Sequence, residues 1–355
     1  MTPLEAEIRR IIAIDGPIPV DRYMQLCLGH PRHGYYVTRD PLGAAGDFVT
    51  APEVSQMFGE LIGAWAATAW RQMGSPPAVR LIEMGPGRGT LMADALRAAR
   101  AMPEFHAALS AHMVETSPVL CALQEKTLAN TSAPLVWHHG IEEVPQGPAI
   151  AIANEFVDAL PIAQFVKDRD GWHVRMVGIV DDELAFVAAP DPMLKQSETD
   201  ATPVGAILER RHDRPVSLLA RRLAQHGGAA LIIDYGHMES GFGDTLQAVR
   251  GHTFTDPLAD LGDADLTAQV DFSAVAGWAQ REGAVTQGPI TQGEFLRRLG
   301  IEQRAARLKG SATPQQAADI DAALTRLTAP GQMGELFKAL AIADPKLGPL
   351  PGFDT

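Results

Sequence analysis

The stretch 79–100, VRLIEMGPGRGTLMADALRAAR, decides how the rest of the chain is read. Its first six residues, 79–84, are mostly apolar, the composition of a strand buried in a parallel sheet. Gly85, Pro86, Gly87, Arg88 and Gly89 follow without a break. Thr90 then opens a run with Leu91, Ala95, Leu96 and Ala99 at helical spacing. Strand, glycine turn and helix in this order open a nucleotide-binding α/β unit. The glycines let the backbone turn sharply and approach a ligand where a Cβ would clash. The helix N-terminus offers unpaired N–H groups and a partial positive charge.

Spacing separates two ligand classes. A dinucleotide fold carries G-x-G-x-x-G. Here the glycines are Gly85, Gly87 and Gly89, with the acid Glu83 two positions ahead of the first. This E-x-G-x-G-x-G pattern resembles motif I of the class I S-adenosylmethionine-dependent methyltransferases. The ligand that motif implies carries a sulfonium and an ammonium but no phosphate. An acid beside the turn attracts those cations and repels a pyrophosphate, which disfavours an NAD oxidoreductase. Without a ligand, the same run is a tight turn in an α/β fold.

Composition bounds the answer. The chain has 355 residues, 46% hydrophobic and 21% charged, ordinary values for a globular protein with one or two domains. A net charge of −13 argues against nucleic acid as a partner, because phosphate contacts need clustered Lys and Arg. It suits a basic substrate, and solubility explains it equally well. Cys27 and Cys121 form neither a metal spacing nor a disulfide framework, and the histidines show no metal-site spacing. No apolar run reaches the length of a membrane span, so no membrane insertion is expected. The opening MTPLEAEIRR lacks signal or transit character, so a cytoplasmic location is expected. Apolar faces near the N-terminus leave a homodimer open.

In chain order, residues 2–28 read as two short helices. The first has Leu4, Ile8, Ile11 and Ile12 on its apolar face. Residues 30–50 form a loop rich in Gly, Pro and aromatics, with Gly46 and Asp47 near its end. Thr50-Ala-Pro-Glu53 reads as a capping box that starts one long helix through Met73. A second strand at 111–114 ends in Glu115. An acid there is placed for both ribose hydroxyls, although Thr116-Ser117-Pro118 also makes it a helix start. A third strand at 135–138 leads to Ile141, whose backbone is expected near an adenine. A fourth at 149–153 ends in Asn154-Glu155-Phe156-Val157-Asp158, which gathers an amide, two carboxylates and an aromatic. Carboxylates could grip a guanidinium by paired hydrogen bonds and receive its proton. Alternation over 165–190 predicts a β-hairpin turning at Asp181-Asp182-Glu183. A fifth strand is expected at 229–233, and a last strand or helix over 331–344 along a sheet edge.

Several blocks fit one family. The sequence resembles the MidA-like class I methyltransferases, whose mitochondrial members are complex I assembly factors that dimethylate an arginine on a core subunit. The matching blocks are 33–65, 83–98, 154–165, 231–236, 243–272 and 332–341, including HGYYVTRDPLGAAGDFVTAPEVSQMFGELIGAW and NEFVDALPIAQF. The glycine motif is common to many methyltransferases; the blocks at 33–65, 154–165 and 243–272 are particular to this family. The resemblance implies an α/β fold: a Rossmann-like class I methyltransferase sheet with N-terminal helices and an inserted α+β substrate-side subdomain. The expected division is 1–75 as a helical region with a cofactor-covering loop, 76–164 and 215–355 as the cofactor-binding core, and 165–214 as an insertion. It implies S-adenosylmethionine as cofactor, with S-adenosylhomocysteine as product. The binding residues would be Glu83, Gly85, Gly87, Gly89, Glu115, Gly46, Ile141 and Asn154. The catalytic candidates are Glu155, Asp158, Asn154 and Asp47. The implied partner is a protein substrate, a complex I core subunit, methylated on arginine. A small-molecule methyltransferase and a non-catalytic cofactor-binding scaffold are the alternatives.

Overall fold

The computed structural model describes residues 1–38, 50–195 and 201–354. The chain divides into two compact units. The second of them in chain order comprises Val49–Val157, Asp213–Glu239 and Val270–Thr355 and contains the glycine motif. Its sheet has seven principal strands: β1 (Val79–Met84), β2 (Leu109–Val114), β3 (Leu135–His138), β4 (Ala149–Asn154), β5 (Gly228–His237), β6 (Val285–Thr291) and β7 (Phe337–Ala343). They lie in the order β6-β7-β5-β4-β1-β2-β3, and a short strand Val270–Asp271 joins the end of β5. Strands β3, β2, β1, β4 and β5 are parallel, while β7 runs antiparallel to both β5 and β6.

The central strands read as unbroken apolar runs because both faces are covered. Every residue of β4 is buried. Leu81 sits opposite Ala111 on one side and Ile150 on the other, and Ile152 sits opposite Leu231. Each such aliphatic side chain withdrawn from water contributes about 1.5–3 kcal/mol.

Five helices bear on the site: α1 (Ala51–Val54), α2 (Gln56–Gln72), α3 (Thr90–Ala99), α4 (Pro118–Leu128) and α5 (Arg214–His226). Helices α2 and α3 touch through small residues. A Cβ at Gly59 would come within 2.6 Å of the Asp94 Cβ, and one at Gly63 within 2.7 Å of the Ala95 carbonyl oxygen.

Two expectations change here. The helix expected from Thr50 to Met73 is two helices, broken at Ser55, whose extended backbone (φ −164°, ψ 139°) ends α1 and whose hydroxyl caps α2. The C-terminal strand expected at an edge is β7, lying between β5 and β6. Strand β6, VTQGPIT, was not anticipated: it has little apolar alternation and a bulge between Gln287 and Ile290.

The other unit takes in Met1–Phe48, Asp158–His212 and Ser240–Gln269. It therefore joins the N-terminal helices to the hairpin segment in one body. Its larger sheet runs Ile18–Pro19, Gly171–Val180, Ile162–Asp168, Ile207–Arg211, with Glu183–Ala188 and Leu194–Lys195 also on Gly171–Val180. A three-stranded sheet comprises Thr253–Thr255, Gln247–Arg250 and Asp265–Thr267. Helix Pro3–Asp15 buries Leu4, Ile8 and Ile12 in this unit's core, beside Tyr23, Met24 and Val177. The expected hairpin is present, with Asp181 and Asp182 both at positive φ in its turn.

Candidate active site

The carboxyl ends of β1, β2 and β4 bring together most of the residues singled out in the second unit. After β1 the backbone passes through Gly85 at φ 64°, Gly87 at 53° and Gly89 at 80°, all left-handed. At Gly85 space matters as well as angle, since a Cβ would stand 2.8 Å from the Phe156 ring. Gly89 caps α3 without any side chain, and the first turn of α3 contains no acid.

Glu83 lies inside β1 and is 3% exposed. Burial pushes its carboxyl up to about 8, and the Met92 N–H in the first turn of α3 offsets this only in part. Its Oε2 is buried with no hydrogen-bond partner. On the neighbouring strand β4, Asn154 Oδ1 is likewise buried and unpartnered. Two orphaned acceptors on adjacent strands suit a ligand that brings N–H donors and positive charge. Such a set fits the ammonium of an amino-acid sulfonium and not a phosphate.

Glu115 follows β2 and is buried. Its Oε1 accepts from the N–H groups of Thr116 at 2.8 Å and Ser117 at 2.7 Å, and its Oε2 from Gln124 at 3.2 Å. Burial raises this carboxyl, and those donors oppose the rise. Ser117 caps α4 through Leu120 N–H, so helix capping and acid placement coexist. Gln124, wholly buried on α4, also donates to the Gly87 carbonyl at 2.8 Å and accepts from Trp137 Nε1 at 2.8 Å. Sequence reasoning missed it. The available signal was a polar residue at a core position, between Leu120 and Leu128 on one helix face.

At the end of β4, Glu155 has φ 51°, uncommon for a residue with a side chain. Its N–H donates to Ile233 O at 2.9 Å, and its Oε1 accepts from Ala51 N–H at 3.0 Å and from Asn154 Nδ2 at 3.2 Å. Asp234 on β5 steadies this turn by accepting from Val157 N–H at 2.9 Å.

A family model described as "Putative S-adenosyl-L-methionine-dependent methyltransferase" matches residues 61–290. The chain belongs to this family. The methyltransferase is 39% identical to the Drosophila melanogaster "Protein arginine methyltransferase NDUFAF7 homolog, mitochondrial", over 96% of this chain and 84% of that one. It is 36% identical to the human "Protein arginine methyltransferase NDUFAF7, mitochondrial", over 96% and 83% of the two chains. A Burkholderia thailandensis structure, solved bound to S-adenosyl-homocysteine, superposes with a TM-score of 0.84 at 29% identity, covering 99% of this chain and 94% of that one. The enzyme is a class I methyltransferase in fold, and its cofactor is S-adenosylmethionine.

The expected cytoplasmic location is overturned, because these curated relatives are mitochondrial. Targeting is read from a segment separable from the fold, so the composition of the folded part carries no information about compartment.

Asp158, Gly46, Asp47 and Ile141 complete the candidates read from the sequence. Asp158 belongs to the first unit, where burial lifts its carboxyl to about 6 against the pull of Arg211. Arg211 donates there to the carbonyls of Asp158, Leu160, Ala268 and Gln269. In the same unit the Tyr36 hydroxyl donates to Asp265 at 2.9 Å. Gly46 and Asp47 lie outside the described residues. Ile141 starts a 3-10 turn after β3, and its side chain lines a cavity of about 140 Å³ with Leu218, Arg222 and Gln225 of α5. Among the described residues no group of three or more His, Cys, Asp or Glu could hold a metal ion, and no helix is long and apolar enough to cross a membrane.

Proposed function

We propose that this methyltransferase holds S-adenosylmethionine at the Gly85–Gly89 turn and passes its methyl group to an arginine side chain of a protein, a subunit of respiratory complex I. The observation that carries the reading is the pair of buried, unpartnered acceptors, Glu83 Oε2 and Asn154 Oδ1. A buried acceptor without a partner costs roughly 1–3 kcal/mol, so two on neighbouring strands call for a bound donor. The cofactor's ammonium meets that need. Gly85, Gly87 and Gly89 would let the backbone approach it, Glu115 would hold the ribose hydroxyls, and the backbone at Ile141 would hold the adenine. The name shared by the curated relatives supports arginine as the acceptor.

When bound, S-adenosylmethionine supplies a methyl group on a sulfonium: the nitrogen–carbon bond forms as the carbon–sulfur bond breaks, and one guanidinium proton is released. Glu155 localises the guanidinium charge and helps remove that proton, with Asn154 orienting the group. Alignment and exclusion of water supply the rest of the acceleration.

Calorimetric titration with S-adenosylmethionine and with NADH, repeated on Gly87→Val, tests the cofactor site. Binding of S-adenosylmethionine alone, lost in Gly87→Val, is the expected result. Incubation with isolated complex I subunits and mass spectrometry of the products then tests the substrate. Methylarginine on a subunit supports the reading, and turnover of small molecules only would overturn it. Glu155→Gln keeps the side chain's shape and its bond to Ala51 N–H but removes the charge. It is expected to keep cofactor affinity while kcat falls about 100-fold or more. Full activity in that variant would refute the carboxylate role.

A further inference from the structure

The capping box expected at Thr50-Ala-Pro-Glu53 does not form. Thr50 makes no side-chain bond to its own helix. The Glu53 carboxylate reaches away instead: its Oε1 accepts from the Thr90 hydroxyl at 2.5 Å, and its Oε2 stands 3.7 Å from the Arg88 guanidinium. Arg88 lies within the glycine turn and Thr90 is the first residue of α3. At its other end the same short segment is held by Glu155, which accepts from Ala51 N–H. Residues 50–54 thus form a strap across the carboxyl ends of β1 and β4, tied to the turn after one strand and to the turn after the other.

We propose that Glu53 is a positioning residue for cofactor binding, holding the glycine turn in its ligand-accepting conformation through Thr90 and Arg88. This rests on the glycine turn being the S-adenosylmethionine site. Three arguments support it. A four-residue helix has no stability of its own, so its two anchors set where it lies. Helix α3 has a glycine cap and no acid in its first turn, so Glu53 supplies from outside the negative charge that a helix start favours. The strap also leads through Ser55 into α2, which is locked against α3 at Gly59 and Gly63. Strap, turn and both helices are therefore one braced assembly. The Gly85 and Gly89 N–H groups donate to Val114 O and Pro86 O, and Gln124 donates to Gly87 O, so the glycines have anchors of their own; Glu53 adds the brace at Arg88 and Thr90.

The test compares wild type with Glu53→Ala, Glu53→Gln, Thr90→Val and Thr90→Ser. Each is titrated with S-adenosylmethionine and with S-adenosylhomocysteine, assayed for KM and kcat, and followed by hydrogen exchange at residues 88–92 without ligand. The expected result is a roughly tenfold or larger rise in Kd and KM for Glu53→Ala and Thr90→Val, with kcat within about twofold. Thr90→Ser, which keeps the hydroxyl, restores affinity, and Glu53→Gln falls between. Exchange at 88–92 accelerates in the two strongest variants while the melting temperature stays near wild type. Wild-type affinity in Glu53→Ala and Thr90→Val overturns the role and leaves the cofactor site standing. A uniform fall in kcat and melting temperature at unchanged Kd also overturns it, since that is general destabilisation. Wild type that fails to bind S-adenosylmethionine overturns the cofactor site itself, and the role of Glu53 with it.

Discussion

The Gln124 amide donates to the Gly87 carbonyl at 2.8 Å and so ties α4, the helix that follows β2, to the middle of the glycine turn. The same side chain donates to Glu115 and accepts from Trp137. A single buried amide therefore joins the segment after β1, the segment after β2 and strand β3 itself. Its satisfaction is complete, and networks of this kind are costly to break.

Gln124→Leu keeps the volume and strands three partners, the Gly87 carbonyl, Glu115 Oε2 and Trp137 Nε1. It is expected to destabilise the protein by about 1–3 kcal/mol and to weaken S-adenosylmethionine binding. Urea unfolding and calorimetry measure the two effects. Unchanged affinity would show that the turn does not depend on this amide.

Burial holds the Glu83 carboxyl up at about 8, against 4.5 for an ordinary glutamate. Between those values the folded protein keeps a proton that the unfolded chain has lost, so stability falls as pH rises through that window and levels off above it. Glu83→Gln is expected to flatten this dependence in urea unfolding between about pH 5 and about pH 8. A cofactor cation beside the carboxyl favours its ionised form, so binding near neutral pH releases protons. Calorimetry in buffers of different ionisation enthalpy reads that release, and heats independent of buffer would contradict it.

Gly63→Ala places a Cβ within 2.7 Å of the Ala95 carbonyl oxygen, where backbone and not a flexible side chain must yield. Helices α2 and α3 would have to separate, at a cost of about 1–3 kcal/mol. The melting temperature is expected to drop, and cofactor affinity with it, because the strap is carried on α2. A melting temperature equal to wild type would mean that the two helices are not closely locked.

The hairpin turn at Asp181 and Asp182 has φ of 49° and 65°, the geometry in which Asn-Gly is favoured. The double change Asp181→Asn, Asp182→Gly is expected to raise stability by about 0.5–1 kcal/mol with kcat unchanged. Thermal melts and the methyltransfer assay check it; loss of stability would show that the aspartate carboxylates matter more than the backbone angle.

Much of the second unit was readable without coordinates. Val79–Met84 and Ala149–Asn154 are apolar runs bounded by turn residues, and the observed strands lie where those runs lie. Strand β6 was not readable, because VTQGPIT has neither alternation nor an apolar run and gains its place by pairing with β7. Glu53 was misread for a related reason. Spacing of three from Thr50 is a capping signal, yet nothing local says that Thr90 stands within 2.5 Å of the carboxylate. Gln124 carried a detectable signal, polarity at a core position, without any indication of its partners.

By itself the sequence determined the cofactor class and where the central strands lie along the chain, because a glycine turn with a leading acid and an unbroken apolar run are local properties of contiguous residues. Only the tertiary structure decided which distant groups meet: Glu53 with Thr90, Gln124 with Gly87, Glu155 with Ala51. It also decided that residues before 39 fold with segments 158–212 and 240–269. The physical reason is that periodicity reports which face of an element is buried, whereas a hydrogen bond is chosen by where the folded chain brings donor and acceptor together.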